Sequence, residues 1–94
     1  MIIVSLNEHG IRMNGHAGYH KNGQDIVCAA ISALTCNLIN SLLNLSEDKI
    51  REESRSGMTV IEWQELSDKG KLLVDSWFIG IVAINQKYHC ITFV

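Results

Sequence analysis

The chain has 94 residues, which supports one domain spanning 1–94 and not two. With 47% apolar residues it can bury a core, and a net charge of −2, with acids and bases interspersed, argues against a nucleic-acid binder, which carries a basic face. The three cysteines include no Cys-x-x-Cys pair, and the His16 to His20 spacing falls in an expected loop. That usage points away from a disulfide framework and from structural zinc, and no cofactor is implied.

Ile2, Val4 and Leu6 alternate with Ile3 and Ser5, which is a strand pattern. These opening residues hold no basic segment and no small-residue cleavage site, so no secretory signal is expected. Residues 7–10 read as a turn. Ile11, Met13 and Gly15 then alternate with Arg12, Asn14 and His16, a second strand that completes a hairpin and ends at His16. Residues 18–24 are polar, with Gly18 and Gly23 near the two ends, and read as a flexible flap that can approach a ligand closely.

Residues 25–45 read as the first helix, opened by Asp25, whose carboxylate suits an N-cap. Val27, Ala30, Ile31, Leu34, Leu38, Ile39, Leu42 and Leu45 form its apolar stripe. Its first turns are apolar nearly all round, so burial on more than one side is expected there. Residues 49–55 form a charged strand that suits a sheet edge. Ser56-Gly57 signals a hairpin turn. Residues 58–66 form the next strand, with Ile61 and Trp63 on one face and Val60, Glu62 and Gln64 on the other.

Ser67 and Asp68 can cap a second helix that runs to about residue 87. Within it, residues 72–84 are read as the longest apolar stretch, interrupted by Asp75, Ser76 and Gly80. That is short of the roughly 20 apolar residues that cross a bilayer, so a soluble cytoplasmic protein with no membrane partner is expected. The helix is hydrophobic around most of its circumference, which predicts a homodimer. Residues 90–94 form a final strand. The order ββαββαβ predicts an α+β fold, an antiparallel or mixed sheet with two helices packed on one face.

The residues that bear chemistry cluster around the first helix start. Cys28 falls on its first turn, where a helix N-terminus favours the thiolate, the reactive form of cysteine. The plainer reading of Cys28 is a small buried apolar side chain. His16 lies between Gly15 and Ala17, small neighbours that leave its ring accessible. A strand end and a helix start can bring imidazole and thiol together, the imidazole taking the thiol proton and giving one to a leaving amine. Unpaired N–H groups at the helix start are candidates to hold an oxyanion. Asp25 reads as the helix cap or as a third group orienting His16. Ser32, one helical turn after Cys28, reads as a satisfied helix serine or as a polar contact near the thiol. Tyr19 and His20 read as solvated loop residues or as substrate contacts of the flap. Cys36, Cys90, His9 and His89 read as structural or incidental. Cys36 is two turns from Cys28 on the same helix, too far for a direct bridge, which disfavours a redox sensor.

Gly15-His16-Ala17-Gly18 followed by Gly23-Gln24-Asp25-Ile26-Val27-Cys28-Ala29-Ala30, with Ser32 shortly after, resembles the bacterial ribosomal-processing cysteine proteases of the Prp family. The motif match spans residues 15–34, and the length and element order match across the whole chain. The resemblance implies a cysteine endopeptidase with Cys28 as nucleophile and His16 as base. It further implies a homodimer whose protein substrate is a precursor of the large-subunit ribosomal protein numbered twenty-seven. The implied cut removes an N-terminal leader after a pair of phenylalanines. The alternative expectation is a non-catalytic, ribosome-associated dimer that binds the leader without cutting it.

Overall fold

The computed structural model describes residues 1–16 and 25–94. Its elements run β1 (Ile2–Asn7), β2 (Gly10–Gly15), α1 (Ile26–Leu45), β3 (Arg51–Arg55), β4 (Met58–Glu62), α2 (Asp68–Tyr88) and β5 (Ile91–Phe93), the expected ββαββαβ order. The five strands form one sheet in the order β3-β4-β2-β1-β5. The pairs β1–β2, β2–β4 and β3–β4 are antiparallel, and β1–β5 is parallel. A parallel neighbour needs a crossover connection, and α2 supplies it by carrying the chain from β4 to the far edge beside β1.

Pleating sends alternate side chains of the central strands toward the helices: Ile2 and Val4 from β1, Ile11 and Met13 from β2, and Ile61 from β4. Val27, Ile31, Leu38 and Leu42 of α1 meet them, as do Val74, Trp77 and Ile81 of α2. Between the helices, Trp77 Nε1 donates to Thr35 Oγ1 at 3.1 Å, and that hydroxyl donates to the Ile31 carbonyl at 2.7 Å. The buried polar pair is thereby satisfied. Gly80 lets the helices close up, because a Cβ there would lie 2.9 Å from Leu34 Cδ1.

Several expectations are corrected. The first turns of α1 are not buried on more than one side: Val27 and Ile31 are buried, while Ile26 is 56% exposed and Ala29, Ala30 and Ala33 are exposed. The helices form a single layer over the sheet, so α1 keeps an outer side. Leu45 also leaves the stripe and is exposed, while Thr35 occupies it. The fourth strand ends at Glu62 and not at residue 66. There Trp63 donates its N–H to the His9 carbonyl and its indole N–H to the Glu8 carbonyl, which draws the chain across the β1–β2 turn. The third strand begins at Arg51 and the last spans Ile91–Phe93, both shorter than expected. Val60 lies on the face away from the helices and is nevertheless buried, flanked by Arg12 of β2 and Glu53 of β3.

By length and composition it is α1, not residues 72–84, that is apolar enough to cross a membrane. Its buried stripe packs on the sheet, as a core helix does. At the other helix end His89 adopts a left-handed conformation (φ 52°, ψ 45°) and caps α2, and Asn85 Oδ1 accepts the Ile91 N–H at 2.9 Å, turning the chain into β5. His89 thus has a structural role.

Candidate active site

The site forms where α1 begins beside the end of β2. Asp25 is the N-cap in extended conformation, and its Oδ1 accepts from Val27 N–H and Cys28 N–H, both at 3.0 Å. Its carbonyl takes the Ala29 N–H at 3.1 Å. The cap reading of Asp25 is therefore realised, and it fixes Cys28 as the third residue of α1. The cap also narrows the expectation of unpaired donors. Asp25 takes the Val27 and Cys28 N–H groups, two of the helix-start donors expected to be unpaired.

Cys28 is half-buried and packs against the core. His16 follows the last residue of β2. Gly15 before it takes φ +100°, and a Cβ there would collide with the Met1 carbonyl. The Met1 ammonium donates to the His16 carbonyl at 2.7 Å, and Gly15 N–H donates to the Gly57 carbonyl at 2.8 Å. The backbone around His16 is thus tied both to the chain start and to the β3–β4 turn.

Cys28, His16 and Ser32 line one cavity of about 280 Å³. Ile2, Met13 and Ile31 give it apolar lining, and the segment 55–59 (Arg-Ser-Gly-Met-Thr) forms another wall. Ser32 is exposed into this hollow, one helical turn from Cys28. Asp25 works at the helix start and does not belong to the described lining. The flap residues Gly18, Tyr19, His20 and Gly23 lie outside the described residues.

The cysteines differ in setting. Cys36 is exposed on α1. Cys90 is buried, and burial pushes its thiol above the ordinary value, with the Asp25 carboxylate's charge adding to the rise. Of the cysteines, Cys28 alone lines the cavity with an imidazole.

The sequence reading missed the β3–β4 turn as part of the site. Ser56-Gly57 signalled a hairpin, but which cavity that hairpin closes follows from sheet order. With β4 paired to β2, the turn is brought beside the end of β2.

The family model described as "Cysteine protease Prp" matches residues 1–91. The ribosomal processing cysteine protease Prp of Staphylococcus aureus (strain Mu50) is 25% identical over 93 residues, covering 92% of this chain and 88% of the relative. Its counterpart in Bacillus subtilis (strain 168) is 28% identical over 83 residues, covering 81% and 74%. Among solved structures, the S. aureus ribosomal processing protease Prp with a covalently linked product peptide superposes with a TM-score of 0.86 at 22% identity, covering 98% of this chain and 94% of that one. SMU.848 from Streptococcus mutans superposes with a TM-score of 0.80 at 26% identity, covering 99% and 91%. These structures share the fold.

Proposed function

The chain belongs to the Prp family of cysteine proteases, and on that premise we propose that it is an endopeptidase of ribosomal-protein processing with Cys28 as nucleophile and His16 as general acid and base. The observation that carries the assignment is the placing of both side chains, with Ser32, on one cavity. In the proposed reaction His16 takes the thiol proton and Cys28 Sγ bonds to the scissile carbonyl carbon. The tetrahedral intermediate collapses, the C–N bond breaks, and imidazolium gives its proton to the departing amine. Water then attacks the thioester, passing its proton to His16, and the carboxylate product leaves as the thiol is restored. The apolar lining from Ile2, Met13 and Ile31 suits hydrophobic side chains next to the cut bond.

The substrate proposed is a large-subunit ribosomal protein, the one numbered twenty-seven, bearing an N-terminal leader that ends in paired phenylalanines. The names of the curated relatives, ribosomal processing proteases, support that class. The working unit proposed is a cytoplasmic homodimer. Leu72 and Ile79, about 70% exposed on α2, support a second copy as their cover. The test incubates the purified chain with the leader-bearing precursor beside Cys28→Ser. Removal of the leader by the wild type alone is the expected result; equal cleavage by both, or by neither, overturns the proposal.

A further inference from the structure

Gly57 meets the site in two ways. Its carbonyl accepts from Gly15 N–H at 2.8 Å, which fixes the residue directly before His16. Its bare Cα faces the imidazole: a Cβ built there would lie 2.9 Å from His16 Nε2, 3.5 Å from Cε1 and 3.6 Å from Cδ2. Non-bonded heavy atoms settle at about 3.5–4.0 Å, so the ring already occupies the space a side chain would need. Gly57 and His16 both line the cavity that holds Cys28.

We propose that Gly57 is a positioning residue for the protease, its bare backbone forming the seat against which the Nε2 end of the His16 imidazole rests on the Cys28 cavity. The proposal rests on the Cys28–His16 reading above. Any Cβ at this position must move the ring or the turn. Gly57 also sits at φ +75°, where a tight hairpin turn wants glycine for conformational reasons alone. The two roles separate with asparagine, which tolerates a positive φ yet carries a Cβ. A merely conformational glycine accepts Gly57→Asn without consequence for the imidazole. A seat does not.

The experiment uses the full chain as wild type, Gly57→Asn, His16→Ala and the double variant. It reads kcat and KM on a peptide that runs through the leader's paired phenylalanines into the residues after the cut, and the pH profile of Cys28 alkylation by iodoacetamide. Gly57→Asn is expected to lower kcat at least about tenfold with KM changed less than about threefold, because small misplacements of a catalytic group fall on the chemical step. It also displaces the pH profile of alkylation. In the His16→Ala background the same substitution changes the alkylation rate less than about twofold, since the group it acts through is gone. Wild-type kcat and profile in Gly57→Asn, or equal losses in both backgrounds, overturn the proposal. A measurement that needs no variant guards against misfolding: nuclear Overhauser contacts between the His16 ring protons and the Gly57 α-protons are expected in the wild type, and their absence overturns it too. If His16→Ala leaves kcat and alkylation intact, the Cys28–His16 reading fails and takes this proposal with it. If His16→Ala abolishes activity while Gly57→Asn keeps the wild-type kcat and pH profile, the seat alone is lost.

Discussion

The two helix starts of this protein both lean on an aspartate, and they differ in what the aspartate leaves beside it. At α1, Asp25 accepts the Val27 and Cys28 N–H groups directly and sets a thiol on the third helical residue, next to a cavity that also holds an imidazole. At α2 the cap is Ser67, whose Oγ takes the Gly70 N–H at 3.1 Å. Asp48 braces that cap from outside, accepting the Ser67 N–H and hydroxyl, both at 2.8 Å. The hollow beside it, about 560 Å³, is twice the size of the other, yet its described lining holds neither cysteine nor histidine. An acid at a helix start and a large hollow therefore do not mark a reactive site. A thiol and an imidazole lining one cavity, which local spacing alone does not provide, distinguish the first corner from the second.

The largest effect that would break this contrast is at the thiol. Cys28→Ser is expected to reduce leader cleavage at least about a thousandfold while the melting curve barely moves, because it removes the nucleophile and little packing. Quantified cleavage beside thermal melts checks this; preserved cleavage would make the two corners equivalent. His16→Ala follows, with an expected loss of about a hundredfold or more in kcat and slower alkylation of Cys28, read by single-turnover cleavage and mass spectrometry.

Asp25→Ala sharpens the contrast between capping and catalysis. Loss of the cap is expected to cost about 1 kcal/mol in denaturant unfolding, with a smaller loss of cleavage than His16→Ala. A cleavage loss equal to that of His16→Ala at unchanged stability would instead make Asp25 an orienting group. At the second corner, Asp48→Asn is expected to leave cleavage within about twofold and to lower the melting temperature at neutral pH. The Ser67 N–H, with the hydroxyls of Ser67 and Ser46, outweighs desolvation and holds the Asp48 carboxyl below its ordinary value of 3.8. A carboxyl depressed in the folded state stabilises above that value and ceases to do so as pH falls through the lowered one. The gap between wild type and Asp48→Asn should accordingly narrow in acid melts below 3.8. The smallest effect is on labelling: iodoacetamide at mild pH is expected to modify Cys28 and the exposed Cys36 and to spare Cys90, whose buried thiol resists ionisation. Peptide mapping of the native protein reads this directly.

Much of the site's first half was legible without coordinates. An N-cap and a thiol three residues on share one helical turn whatever the helix packs against, so Asp25 and Cys28 could be placed from spacing. The Ile2 to Leu6 alternation and the turn before Ile11 likewise located the first hairpin. Less legible were features set by partners distant in the chain. Alternation put Val60 on the same face as Glu62 and Gln64, but its burial depends on lying between Arg12 and Glu53. Thr35 was not among the stripe residues expected from the sequence, and the Trp77 indole shows why it belongs there. The exposed flank of α1 looked buried because composition counts apolar residues and does not say how many layers cover them.

From the chain alone came the element order, the capped helix with its early cysteine, and the histidine at a strand end, because each depends on periodicity or on neighbours within a few residues. Only the tertiary structure decided that the Ser56-Gly57 turn walls the cavity, that Gly57 meets the imidazole, and that the cap takes the Val27 and Cys28 N–H groups. The strand order β3-β4-β2 brings that turn to the end of β2, and such pairing is chosen by the packing of the whole sheet, not by any local run of residues.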